Sequence, residues 1–284
     1  MYFKTFIMKK LLSIVLIAGI SSFGFSQANL STVSQLGTGN YGTVDQIGQE
    51  NYSLVDIVGS NNGIDIDQSG IMNHSEHYVN EDNGGEGNFM ELGQLGYKNK
   101  SVSLQNGNNS SASIRQYGLK NLSEVDQNGN DFEANVLQVG LRNYSDINQS
   151  SFHGSTANVS QWGYKNSSEI DQMGAAGGVA NVLQVGVKHQ SYVYQQSEDE
   201  LANVEQWGYK NSSFIWQNAS VAGSAATFSN TADVFQDGYF LESSITQDGF
   251  GGENVADVYQ IGNSHVSTIT QTGIGNSMFV NQSN

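Results

Sequence analysis

The chain has 284 residues with no Pro, no Cys, 33 Gly, 13% charged residues and a formal net charge of −16. Lack of Cys excludes a disulfide scaffold, Cys-ligated zinc, iron–sulfur clusters and thiol catalysis, and the acidic balance excludes a nucleic-acid binder, which needs clustered Lys and Arg. Disorder fits poorly too, because disordered chains are rich in Pro and charge and poor in aromatics, whereas 10% of these residues are aromatic.

The first predicted element is a leader. Lys9 and Lys10 precede an apolar run over 11–20, and a small-x-small site follows at Gly24-Phe25-Ser26. That is the layout of a secretory signal peptide, with Met8 as an alternative start. The run is shorter than the roughly 20 residues needed to span a bilayer. Residues 1–26 are therefore read as a secretion signal cleaved before Gln27, and 27–284 as one exported repeat domain with no membrane span.

The repeat begins almost at once. Gln46, Gln68, Gln94, Gln116, Gln138, Gln161, Gln184, Gln206, Gln236 and Gln260 open ten units. Eleven residues later the units carry Gln105, Gln127, Gln149, Gln172, Gln195, Gln217, Gln247 and Gln271, with Ile57 and Val79 in the first two. The spacing from the end of one unit to the start of the next varies, with insertions at 80–87 and 218–231. Half-units at 29–35 and 276–282 flank the series.

Two residues after each opening Gln stands Gly48, Gly70, Gly96, Gly118, Gly140, Gly163, Gly186, Gly208, Gly238 or Gly262. Five after it come Asn51, Asn73, Asn99, Asn121, Asn143, Asn166 and Asn211, with His189, Leu241 and His265 in the other units. Seven after it every unit has Ser; two before it every unit has an aliphatic residue, and four before it seven have Ala. An 11-residue period also suits a right-handed helical supercoil. Within the unit, however, the restricted positions alternate with period two, which lines one face of a strand. Gly and β-branched residues at these positions also penalise a helix. The alternation shifts phase after Gly, so each unit is strand, tight Gly-x-x-Asn turn, strand; Gly supplies positive φ and the Asn side chain bonds nearby backbone.

Isolated strand pairs are marginal in water, and stacking cures this. The expected fold is all-β: a β-solenoid of in-register coils of about 22 residues, ten full repeats plus a half-repeat at each end. Ladders of Ala, Val, Gln, Asn, Ser and Ile would lie inside at about 4.8 Å spacing. A buried Gln can donate to the next Gln and accept from the previous one.

The unit Gln-x-Gly-x-x-Asn-x-Ser-x-x-x-Gln, intact from Gln116 to Gln127, closely resembles the curlin repeat. The resemblance extends over nearly all of the chain after the leader. It implies a secreted structural subunit that polymerises into curli, the extracellular amyloid fibres of bacterial biofilm matrix, serving cell adhesion and surface colonisation. It also implies export through the periplasm and a dedicated outer-membrane secretion pore, and growth from a curli-type nucleator; the main partner is another copy of the chain. Two departures stand out: Ser where curlins often have Ala, and ten or more repeats rather than about five.

A solenoid without caps ends in strand edges that template another copy. No amphipathic helix or Pro-rich cap is read at either end, so head-to-tail addition is expected. Lys98, Lys120, Arg142, Lys165, Lys188 and Lys210 fall on one edge. They form either a stripe for anionic glycans or surfaces, or a charge balance for acids on the following strand, the latter preferred. Outward Asp45, Asp67, Asp126, Asp171 and Asp237 read equally well as gatekeepers against premature assembly or as a solvated face. Outward Trp162, Trp207, Tyr97, Tyr117, Tyr164 and Tyr209 read as β-formers or as contacts for sugars and other fibres.

No enzyme, cofactor or metal site is expected. His74 and His77 are three apart, so on a strand they point to opposite faces, and Gly84-Gly85-Glu86-Gly87 lacks the Lys and the strand–loop–helix context of a phosphate loop. The alternative function is a monomeric β-solenoid adhesin or ligand binder, for ice or glycans, although the Thr array of an ice-binding face is missing. A β-helix hydrolase would need a carboxylate cluster, which is not read.

Overall fold

A computed structural model describes residues 28–79, 85–151, 154–174, 176–218, 229–249 and 253–284. The expected leader, 1–26, and the centres of both long insertions, 80–84 and 219–228, lie outside the described residues. Strands alternate strictly between two sheets: successive strands never pair, and each pairs with the strand two further along the chain. The result is two eleven-stranded parallel sheets facing each other across a thin core. This is a β-solenoid of eleven coils. The first coil is Leu30–Thr38 with Tyr41–Gln49, and the last is Val266–Thr272 with Ser277–Ser283.

The sequence accounts for this locally. In Thr156–Tyr164 the odd positions Ala157, Val159 and Gln161 are buried while Asn158 and Trp162 face outward. Across the core, Ser145, Ile147 and Gln149 supply the opposing inward face. Val, Ile or Leu at the central inward position of most strands, with His77 and Ser103 as exceptions, build one continuous apolar cluster, from Val55 and Ile57 to Val258 and Ile269. Parallel strands usually occupy sheets covered on both faces; here only the inner face is covered, and polar ladders do much of the work inside.

Register is uniform. Gln138 pairs with Gln116 on one side and Gln161 on the other, and Gly140 likewise with Gly118 and Gly163. Insertions leave this intact: Gln206 still stacks on Gln236 across the 218–231 insertion. Length variation is confined to one of the two arcs, and the pairing on both sides of it is unchanged.

Candidate assembly surface

From Gln68 onward each opening Gln is satisfied in the same way. Gln138 Nε2 donates to Gln161 Oε1 at 2.9 Å and to the Leu122 carbonyl at 2.9 Å, while its Oε1 accepts from Gln116 Nε2 at 2.8 Å. The chain of side-chain amides runs without a break from Gln46 to Gln282. In the other sheet it runs from Gln105 to Gln271. Every link points the same way, with Nε2 donating toward the C-terminal coil. Where Val79 replaces Gln beneath Gln105, the Gln105 Oε1 is buried without a partner.

The turn Asn residues make a second ladder. Asn121 Nδ2 donates to the Tyr117 carbonyl of its own turn at 3.2 Å and to the Gly140 carbonyl of the next coil at 3.2 Å. Its Oδ1 accepts the backbone N–H of Asn143 at 3.0 Å. His189 imitates this: Nδ1 accepts the Asn211 N–H at 3.2 Å and Nε2 lies 3.2 Å from the Val185 carbonyl, so the neutral ring with its proton on Nε2 fits. Burial holds the His189 pKa below the ordinary imidazole value. Leu241 is buried at this position and carries no acceptor.

The turn Gly is required twice over. Gly118 has φ 118°, and a methyl group on it would overlap the carbonyl oxygen of Gly140 in the next coil. Coil stacking thus passes through a column that only Gly can occupy.

Two features of the arcs were not legible from the opening Gln positions. The residue between the turn Gly and Asn is left-handed although not Gly: Lys98, Lys120, Arg142, Lys165, Lys188 and Lys210 have φ between 54° and 60°. These six stack coil on coil, and most are exposed. Tyrosine rings partly shield the row, with Lys98 Nζ 5.0 Å from the Tyr97 centroid and Lys165 Nζ 5.1 Å from that of Tyr164. The other arc carries its own Asn column at 40, 62, 88, 230, 254 and 276, with the same bonding: Asn254 Nδ2 donates to the Gly273 carbonyl at 3.0 Å and its Oδ1 accepts the Asn276 N–H at 3.1 Å. Insertions hide this column when counting forward from one unit; counting six residues back from the following Gln recovers it, as it does the turn Asn.

Glu200 stands in this second column. It is buried; Oε2 accepts the Gln196 and Ser197 N–H groups at 2.9 and 3.0 Å, and burial pushes its pKa up to about 7. The outward acids are not alike. Asp45, Asp67, Asp126 and Asp237 are exposed, and Asp171 is half-buried and accepts from the Tyr192 hydroxyl. Although exposed, Asp67 and Asp126 lose some hydration against the sheet, which raises their pKa, and neighbouring carboxylates add to the rise at Asp67. Trp162, Trp207 and Tyr117 are exposed. His74 faces outward beside Glu76 at 2.8 Å, whereas His77 is fully buried, so the two do not converge. Among the described residues no group of His, Asp and Glu is placed to hold a metal ion.

The class defined by this geometry is a β-solenoid whose interior is polar at Gln, Asn and Ser and whose outermost strand edges are unpaired among the described residues. The curlin associated repeat family matches residues 37–70, 85–118, 107–140 and 251–283. The chain thus carries curlin associated repeats. No curated protein matches it.

Proposed function

We infer that the chain is an exported structural subunit that adds head to tail to copies of itself, forming extracellular curli-type fibres of a biofilm matrix. The observation that carries this reading is the Gln ladder of one sheet, which runs unbroken from the first coil (Gln46) to the last (Gln282), with the ladder of the other sheet reaching the last coil at Gln271. Gln282 and Gln271 sit where another coil would stack, and so do Gln46 and Gln35. An edge strand with free N–H and C=O groups templates further strands, and here the side-chain amides are aligned to follow. A nucleator, an outer-membrane pore and roles in adhesion and surface colonisation come with the family reading; no catalytic role is assigned.

The test is dilution of the chain from denaturant with and without preformed fibres. Seeded growth, thioflavin binding and a reflection near 4.7 Å are expected. A chain that folds and stays monomeric in the presence of seeds contradicts the reading.

The alternative, a monomeric ligand binder, has one observation in its favour. An outward groove on the second sheet carries an amide chain from Asn158 to Asn181 to Asn203 at 2.8 Å per link, beside the stacked rings of Phe235 and Tyr259. Planar amides next to aromatic faces suit a glycan. A seed-insensitive monomer that binds polysaccharide would favour this reading over the fibre.

A further inference from the structure

The two ends of the stack differ in one core column, and the difference matches end to end. Four residues before each opening Gln the column runs Gly42, Ile64, Met90, then seven alanines from Ala112 to Ala256, and last Met278. Gly42 has no positive φ, so its backbone does not demand glycine. The gap its missing side chain leaves is shallow: a methyl group would meet Val33 and Ile57 at 3.8 and 3.9 Å in ordinary contact, and Gln35 Nε2, the end of a flexible side chain, at 3.1 Å, so that Gln35 must give way slightly. At the other end Met278 is 44% exposed, although Ala256 beneath it is fully buried. One end carries a recess in the core column; the other carries an unburied side chain in the same column.

Internal pairing keeps Gln on Gln without a shift. One further step in that register sets residues 266–272 on 30–36 and 277–283 on 41–47 of a second copy. Met278 then lies over Gly42, and Val266, 59% exposed, over Leu30, 56% exposed. Ladder polarity agrees: the C-terminal end offers Gln271 and Gln282 Nε2, and the N-terminal end offers Gln35 and Gln46 Oε1. His265 Nε2 lies 3.0 Å from the Ile261 carbonyl, as His189 does with Val185. Its Nδ1 is thereby set to accept the Asn29 N–H of the next copy, as His189 Nδ1 accepts that of Asn211.

We propose that copies of this chain join in one register and one polarity, last coil on first coil, with Met278 of one copy filling the recess at Gly42 of the next and His265 Nδ1 taking the Asn29 N–H. The proposal rests on the self-assembly reading and specifies its joint. Opposite orientations would set donor against donor, and a register slip would put Met278 over an outward position.

The test is the rate at which each variant elongates its own sheared seeds. Met278→Gly leaves a void at the joint and Gly42→Met overpacks it, so each slows elongation by about tenfold. The double variant exchanges the two ends' shapes and recovers to within about twofold of wild type. A folding defect in either single variant would be deepened in the double, not reversed. His265→Asn keeps the wild-type rate and His265→Leu slows it. If wild type elongates but the single variants match it, or the double is no faster than the singles, the joint is overturned and self-assembly stands. Wild type that ignores its own seeds removes the underlying reading instead.

Discussion

At the scale of single residues, the interior is held by polar side chains that have value only in register. A buried Gln amide is costly without partners, and Gln138 is bonded to the coils on both sides. Gln138→Leu leaves Gln116 Nε2 and Gln161 Oε1 each short of a partner; it should cost about 2–4 kcal/mol, read as a lowered unfolding midpoint in denaturant. The inward Ser column behaves oppositely. Ser53, Ser101, Ser123, Ser145 and their counterparts have buried hydroxyls without partners. Ser145→Ala removes an unpaired hydroxyl and should leave stability unchanged or raise it by up to about 1 kcal/mol. His77 is the sharpest case: it lies in the column between Val55 and Ser103, and neither ring nitrogen has a partner. Burial, with help from the His74 charge, pushes its pKa down to about 3. The unfolded chain takes up the proton below about 6.5, while the folded chain does not until about 3. This contribution to stability is therefore complete above pH 6.5 and declines by about 1.4 kcal/mol per pH unit as the pH falls toward 3. His77→Val should lack that decline, which paired denaturation series at pH 7 and pH 4.5 would reveal.

At the scale of the strand and arc, the repeated Gln, Gly, Asn and Ser show plainly in the sequence because each is repeated by stacking: whatever one coil needs, the next needs at the same place. The strand faces followed from the alternation, since Ala157, Val159 and Gln161 can only share a side. Less was legible in the arcs. The Asn column at 40, 62, 88, 230, 254 and 276 is scattered by insertions, and Phe132 and Glu200 stand in it elsewhere, so it lacks a constant distance from the preceding Gln. The left-handed position was hidden for another reason. Its occupants, Lys98 through Lys210, have no local preference for positive φ, and only the Gly and Asn on either side impose it. The unpaired Gln105 Oε1 is a three-dimensional consequence of Val79, 26 residues earlier, and no local pattern marks it. The Gly column yields its own expectation: Gly140→Ala would bring a methyl onto the Gly163 carbonyl at a positive φ. It should cost about 3 kcal/mol or more, seen as hydrogen exchange accelerated in the coils that meet at that arc.

At the scale of the whole molecule, each coil contacts only its neighbours, so stability accumulates along one axis and the outer coils are worth least. A second copy docked on an outer coil supplies the neighbour that coil lacks. Leu30, Leu36, Tyr41 and Ile47 at one end, and Val266, Ile274 and Phe279 at the other, are among the most exposed large apolar side chains in the described structure, and Met278 is exposed beside them. They are the residues a joint would cover. The solenoid is expected to continue from copy to copy, with the Gln46–Gln282 ladder running through each joint. The most direct measurement is cryo-electron microscopy of seeded fibres. A fibre one solenoid in cross-section is expected, with strand layers at about 4.8 Å and eleven layers, or about 53 Å, per subunit along the axis. Fibres whose cross-section shows a refolded flat sheet, or subunits joined side by side with capped ends, would contradict it.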